Sequence, residues 1–169
     1  MIDMKDKKAK FEILFVCTGN TCRSPMAEGI MKKLLMEKGI SGVEVSSAGI
    51  SALDGYPATP FAIEAARVWY IDLSEHYSRR LNPDILEKAD LVLVMSKEHL
   101  KHIEKIDKKS LDKSYLLRAY PQKNENENLA IDDPIGLSLK EYNQCFLELE
   151  EEIKRIVPEL VRQYERKNV

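Results

Sequence analysis

The amino-acid sequence predicts an α/β fold: a single doubly wound domain with about four parallel strands flanked by helices. Short apolar runs of strand length alternate along the chain with segments of helical periodicity. The first unit has the order strand, loop, helix, strand, which is normally parallel and right-handed. The 169 residues suffice for one domain, so its predicted bounds are residues 1–169, with a flexible tail over residues 1–10.

Each predicted strand is a short apolar run bounded by polar or turn residues. The first, FEILFV, is rich in β-branched and aromatic side chains and ends near Cys17. Uninterrupted runs of this kind are typical of strands that are buried on both faces of a sheet. The four predicted strands are residues 11–16, 43–49, 89–95 and 114–120.

Capping residues mark where the first three helices begin and end. Ser24, followed by proline, predicts the N-cap of the first helix, and Gly39 predicts its C-terminal stop. Thr59 and Asn82, each also followed by proline, predict the N-caps of the next two helices. Trp69 falls on the apolar positions of the second helix, so it is expected in the core.

Two further helices follow. Ser96 predicts the N-cap of a helix over residues 97–105. From Ser138 onward, apolar residues recur every three or four positions and predict one long amphipathic helix. Pro158 is expected to kink or restart it, because proline lacks the N–H of a helical hydrogen bond and its ring crowds the preceding turn.

Composition excludes several classes of protein. With 44% hydrophobic and 32% charged residues, the chain is neither collagen-like nor disordered. The net charge of -2 does not steer it to nucleic acid or an anionic membrane, and no apolar run approaches the ~20 residues that span a bilayer. Three cysteines cannot all pair, which favours a reducing compartment, the cytoplasm, and no nucleic-acid or membrane partner is expected.

The segment VCTGNTCRSP, residues 16–25, is the informative loop. A loop that leaves a buried strand and enters a helix directs successive backbone N–H groups to one point, where the helix dipole adds positive charge. Gly19 and Asn20 tolerate the left-handed turns that such an anion-binding loop needs. Arg23 adds a planar fork that matches two oxygens of a phosphate. The loop is therefore predicted to bind phosphate or another oxyanion.

Cys17 lies at the base of this loop. The positive electrostatic field of the loop N–H groups, the helix dipole and Arg23 is expected to lower the pKa of its thiol and make it a nucleophile. Attack on phosphorus would form a cysteinyl-phosphate, with the loop amides and Arg23 stabilising the equatorial oxygens, and would need no metal or cofactor. The alternative is that Cys17 is a small buried residue at a strand end and Arg23 part of a surface ion pair.

With this loop, the SSAG segment, the ADLVLVM strand and a late Asp-Pro, the sequence resembles the low-molecular-weight protein tyrosine phosphatases, whose signature is a CxxxxxR loop continuing into Ser-Pro. The resemblance implies hydrolysis of phosphotyrosine in protein substrates and makes Asp133 the general acid. The chemistry also requires one, since the leaving oxygen must be protonated. The alternative is that Asp132, Asp133 and Pro134 form only a turn.

The resemblance also implies residues that bind phosphate or support the loop. Hydrogen bonds among Asn20, Ser24, Ser47 and His76 are expected to hold the loop in shape, although His76 could be an ordinary surface histidine. Cys22 is expected to form a reversible disulfide with Cys17 on oxidation. The residues expected to contact the phosphate are Thr18, Gly19, Asn20, Thr21, Cys22 and Ser24.

The substrate is left open by two departures from the family pattern. Leu53 and Ile135 stand where the family usually places aromatic side chains, with Tyr56 as the candidate replacement. Thr21 stands where many members have a bulky aliphatic residue. In having threonine there, the chain resembles the bacterial branch that includes protein arginine phosphatases. Phosphoarginine is therefore the alternative substrate.

Other classes fit less well. An arsenate reductase needs further cysteines near the middle of the chain, and residues 23–144 contain none. A phosphocarrier would not need Arg23 or Asp133, and a phosphate-binding module would not need Cys17.

Overall fold

A parallel sheet forms the centre of the structure, a computed structural model that describes residues 10–169. Its strands are β1 (Phe11–Cys17), β2 (Val43–Gly49), β3 (Leu91–Val94) and β4 (Ser114–Leu116). They lie in the order β2-β1-β3-β4, and every neighbouring pair is parallel. The predicted α/β class is confirmed. The order makes β1 an inner strand with Cys17 at its carboxyl end, the edge where such sheets bind ligands.

The first two predicted strands are confirmed, and the last two are shorter than predicted. Beyond Val94 and Leu116 the apolar runs continue as turns: the Leu117 N–H still bonds to the Val94 carbonyl, but the Tyr120 N–H turns back to the Leu116 carbonyl. Leu117 and Tyr120 are both buried. The apolar character of these segments therefore reflects burial in the core rather than continued pairing.

The predicted tail is described only at its end. Residues 1–9 lie outside the described residues. Lys10 is exposed, and its Nζ pairs with the Glu44 carboxylate on the edge strand β2.

In residues 10–169, five α-helices cover the two faces of the sheet. They are α1 (Arg23–Glu37), α2 (Pro60–Arg67), α3 (Pro83–Lys88), α4 (Lys97–Ile106) and α5 (Leu139–Lys167). Side chains of β1 alternate between two apolar cores: Phe15 packs with α1, α2 and α5, while Leu14 and Val16 pack with α3 and α4. The predicted caps at Thr59 and Asn82 are confirmed, since each side chain accepts a backbone N–H of its helix.

Helix α1 begins two residues earlier than the predicted cap implies. Its N-cap is Cys22, so the prediction of Ser24 as the N-cap is wrong. Ser24 is instead a buried residue inside the first turn, where its hydroxyl lies against Cys17 and accepts a hydrogen bond from Asn20. This hydroxyl serves the loop rather than the helix terminus.

The prediction that Trp69 is a core residue is also wrong. Helix α2 ends at Arg67, so Trp69 lies in the turn that follows and is no longer on the buried helical face. Its side chain is 40% exposed, and one face of the indole stacks on Phe146 with ring centroids 6.0 Å apart.

The long C-terminal helix is not restarted at Pro158. Helix α5 runs continuously from Leu139 to Lys167 with Pro158 inside it. Apolar residues on both sides of the proline, including Ile153 and Leu160, are buried in the core, where α5 packs against α1 and α2. Since tertiary packing supplies most of the stability of such a helix, the loss of one backbone hydrogen bond does not end it.

Candidate active site

The loop between β1 and α1 has the shape of an anion-binding turn. Asn20 adopts the left-handed backbone conformation with φ 58°, whereas Gly19 does not have a positive φ. Of the two residues expected to allow a left-handed turn, only Asn20 adopts that conformation. Asparagine occupies this region more readily than other residues with side chains.

Gly49, at the end of β2, lies directly against the loop. A Cβ atom on Gly49 would lie 2.5 Å from the Thr18 carbonyl oxygen and 2.9 Å from the Asn20 nitrogen. The following residues fasten the loop: the Ile50 N–H donates to the Cys17 carbonyl and the Ser51 N–H to the Thr18 carbonyl, each at 3.0 Å. The close approach requires glycine, a role that the single sequence did not reveal.

The other three predicted support residues all contact Asn20, whose side chain is fully buried. The side-chain Nδ2 donates to Ser24 Oγ at 2.8 Å and to Ser47 Oγ at 2.9 Å, and the backbone carbonyl oxygen of Asn20 lies 2.7 Å from His76 Nε2. Its Oδ1 accepts the backbone N–H of Arg79 at 2.9 Å. Arg79, which sequence reasoning missed, also donates its Nε–H to the Ser47 carbonyl.

Cys17 is buried in the loop with 2% of its surface exposed. Its Sγ lies 2.8 Å from Ser24 Oγ and accepts the Asn20 N–H at 3.3 Å. Burial raises the pKa of the Cys17 thiol, while Arg23, Ser24 and the Asn20 N–H oppose that rise. The expected lowering of this pKa is therefore wrong. The sequence reveals the charge of Arg23 and the hydrogen-bond donors near the sulfur, but it does not reveal how deeply the sulfur is buried.

The Arg23 guanidinium links the loop to the segment that carries Asp133. Its Nη1 donates to the Ile131 carbonyl at 2.9 Å. Its Nη2 donates to Thr18 Oγ1 at 3.3 Å and to Asp133 Oδ2 at 3.2 Å, although Arg23 and Asp133 are 110 positions apart. The guanidinium is buried, whereas the Asp133 side chain is 35% exposed. The three predicted catalytic residues therefore meet at one loop.

Cys22 faces the α5 side of the loop. Its Sγ lies 3.3 Å from the Tyr142 hydroxyl and 3.4 Å from Thr59 Oγ1. Burial and the contact with Cys22 raise the pKa of Tyr142 to about 12. Cys17 and Cys22 are free thiols in this structure, so the reversible disulfide stays a prediction.

A groove of about 400 Å³ opens beside the loop. Gly19 and Thr21 form one side of it, and the segment after β2, with Leu53 and Tyr56, forms the other. Ile135, on the segment after Asp133, is exposed. The groove thus brings Thr21, Leu53 and Tyr56 to the mouth of the candidate site.

The described part of the chain contains neither a metal-binding cluster nor a helix able to span a membrane. In residues 10–169, no group of three or more His, Cys, Asp or Glu side chains is placed to hold a metal ion. Over the same residues, no helix combines the length and the apolar composition needed to cross a membrane.

A cysteine and an arginine on one strand-to-helix loop, with an aspartate against the arginine, define a cysteine-dependent phosphatase. The family model for low molecular weight phosphotyrosine protein phosphatase matches residues 12–167, and the chain belongs to that family.

Curated relatives and solved structures of two kinds are similar to the chain. It is 40% identical to the protein-arginine-phosphatase of Bacillus subtilis over 88% of this chain and 96% of that protein. It is 34% identical to EpsP of Ralstonia solanacearum, a probable low molecular weight protein-tyrosine-phosphatase, over 88% and 94%. The solved structure of the YwlE arginine phosphatase, in a mutant with a phosphorylated active site serine, superposes with a TM-score of 0.82 at 38% identity, covering 89% of this chain and 95% of that one.

Replacement of Gly49 by alanine tests the close approach of β2 to the loop. The new methyl group must displace the Thr18 carbonyl or the Asn20 amide, so we expect kcat/KM for p-nitrophenyl phosphate to fall by roughly 100-fold, the order of effect of a small misplacement of catalytic groups. Gly29→Ala is the matched control, because its methyl group meets the Ile71 and Leu73 side chains away from the loop. Equal kcat/KM values for the two variants would contradict the role of Gly49.

Removal of the Ser24 hydroxyl tests what stabilises the thiolate. This hydroxyl lowers the pKa of Cys17, so Ser24→Ala raises that pKa further and reduces the thiolate fraction at any pH below it. The midpoint of Cys17 alkylation by iodoacetamide should move to higher pH by about one unit. Ser47→Ala changes the same network without touching the sulfur and should leave the midpoint nearly in place. An unchanged or lower midpoint in Ser24→Ala would refute this account.

Proposed function

We propose that this protein phosphatase hydrolyses phosphotyrosine in proteins through a cysteinyl-phosphate, with Cys17 as nucleophile, Arg23 as phosphate ligand and Asp133 as general acid. The convergence of the Cys17 sulfur, the Arg23 guanidinium and the Asp133 carboxylate on one loop carries the proposal. A relative with a phosphorylated active site serine supports the covalent step.

In the first step, the Cys17 sulfur attacks phosphorus, the S–P bond forms and the bond from phosphorus to the tyrosyl oxygen breaks. Because burial favours the thiol, its proton must leave first, and a phosphate dianion entering the loop is an available acceptor. The phosphate oxygens take the place of the Asp133 carboxylate on Arg23. Asp133 is then released from this contact, takes up the proton that the phosphate received from the Cys17 thiol and delivers it to the leaving oxygen.

In the second step, water attacks the cysteinyl-phosphate and Asp133 takes its proton. Ser24, 2.8 Å from Cys17 Sγ, donates to the sulfur as it leaves as a thiolate. Backbone N–H groups of the loop and Arg23 hold the phosphate oxygens throughout. The proposed phosphate-contacting residues are Thr18, Gly19, Asn20, Thr21, Cys22 and Ser24. Ser47 and His76 act by positioning Asn20.

We also propose one phosphatase domain over residues 1–169 and a cytoplasmic location. The family match over residues 12–167 supports the first. Three free thiols support a reducing compartment. The expected partners are phosphorylated proteins.

Phosphoarginine is the second candidate substrate, and Thr21 is the observation that favours it. Thr21 borders the groove beside the loop, where its small volume and hydroxyl leave room for a planar guanidinium. The similar B. subtilis protein that is named a protein-arginine-phosphatase supports this candidate.

Turnover of p-nitrophenyl phosphate in EDTA tests the proposed mechanism. Cys17→Ser should lose at least 1,000-fold in kcat, because the nucleophile is removed, and Asp133→Asn roughly 100-fold to 10,000-fold. Asp132→Asn is the matched control and should stay close to wild type, because Asp132 is exposed and the carboxylate that pairs with Arg23 is that of Asp133. Loss of wild-type turnover on chelation, or an active Cys17→Ser, would contradict the mechanism.

Paired peptides separate the two substrates. We expect wild-type kcat/KM to be higher for a phosphotyrosine peptide than for a phosphoarginine peptide, and Thr21→Ile to lower the phosphoarginine value selectively, because its larger side chain narrows the groove. Thr21→Ser keeps the hydroxyl and the small volume and should keep the wild-type ratio. A wild-type preference for phosphoarginine would favour the second candidate, and an unchanged ratio in Thr21→Ile would remove the argument from Thr21.

A further inference from the structure

We infer that His99 is a positioning residue of the active site, which acts through the Thr18 hydroxyl to hold the Arg23 guanidinium in its phosphate-binding orientation. The inference rests on the proposed function, since it concerns how the proposed phosphate ligand is held. His99 lies on α4, in the first turn after β3, and sequence reasoning gave it no role.

The hydrogen bonds of His99 define its tautomer. The imidazole is fully buried, and its Nδ1 accepts the backbone N–H of Ser96 at 3.1 Å. The proton of a neutral ring therefore resides on Nε2, which lies 3.0 Å from Thr18 Oγ1 and donates to it. The carboxylate of Glu98 is 3.8 Å from Nε2, too far to compete for this proton.

His99 is a fixed donor rather than a charged group. Burial, together with the charges of Arg23 and His102, lowers the pKa of His99 to about 3. The ring is therefore neutral at pH 7. It can therefore pack close to the Arg23 guanidinium without introducing a second positive charge beside it.

Thr18 transmits this order to Arg23. Its Oγ1 receives the His99 Nε2–H and the Arg23 Nη2–H, so both lone pairs of the hydroxyl are occupied and the oxygen has little freedom to turn. Arg23 Nη1 is held separately by the Ile131 carbonyl. When Asp133 leaves Arg23 to act on the leaving group, the hydrogen bonds to Thr18 Oγ1 and the Ile131 carbonyl still fix the plane of the guanidinium. A bidentate contact with phosphate depends on that plane.

The competing explanation is that His99 serves only to cap α4 through Ser96. Two substitutions by amide residues distinguish the capping role from the positioning role. The side chain of asparagine reaches the position of Nδ1, and that of glutamine reaches the position of Nε2. His99→Asn can keep the bond to the Ser96 N–H but cannot donate to Thr18. His99→Gln can donate to Thr18 but loses the cap.

The test measures the Kd for inorganic phosphate by calorimetry, together with kcat and KM for p-nitrophenyl phosphate and the melting temperature. His99→Asn should weaken phosphate binding and lower kcat/KM by about tenfold each, whereas His99→Gln should retain most of both even where its melting temperature falls. His102→Gln, on the same helix, should match wild type. Phosphate affinity that follows the melting temperature, with Gln worse than Asn, would overturn the inference.

A double-variant cycle tests the route through Thr18. Thr18→Val removes the shared hydroxyl, so adding His99→Asn to it should cause little further loss of phosphate affinity. Fully additive losses would show that His99 acts by another route and would overturn the inference. Failure of the proposed function has a different signature: the wild-type protein would bind phosphate but would not hydrolyse p-nitrophenyl phosphate. Wild-type protein that binds no phosphate would overturn both the proposed function and this inference.

Discussion

The buried amide of Asn20 is the contact on which the rest of the site depends. The backbone at Asn20 must turn left-handed, and its side chain then bonds Ser24, Ser47 and the Arg79 backbone at once. An unpaired buried amide would cost several kcal/mol, so each partner is needed if the loop is to keep this shape. The shape determines where the backbone N–H groups point, and hence what the loop can bind.

The site is polar and yet buried, and its hydrogen bonds make that possible. Arg23, Ser24 and His99 have almost no exposed surface, and each has partners within the loop or from the neighbouring segments. A network with its groups already paired needs little reorganisation when charge develops on a phosphate. The same burial raises the pKa of Cys17, and Arg23, Ser24 and the Asn20 N–H oppose that rise.

The order of strands explains how distant segments contribute to one loop. Because β1 lies between β2 and β3, the carboxyl ends of its neighbours flank the loop: Gly49 supports it from one side, and the segment that carries His99 supports it from the other. Asp133 follows Ile131, whose N–H bonds to the Met95 carbonyl just after β3. Substrate choice is then left to the exposed rim, where Thr21, Leu53 and Tyr56 border the groove.

The sequence by itself determined the alternation of strands and helices and the cysteine, arginine and asparagine of the loop, because these signals lie within a few residues of one another. Resemblance to a family added Asp133, Ser47 and His76. Only the tertiary structure decided which strand ends are adjacent, and so the need for glycine beside the loop and the role inferred for His99. It also decided the depth of the Cys17 sulfur and therefore the direction of its pKa, since burial depends on the packing of the whole chain.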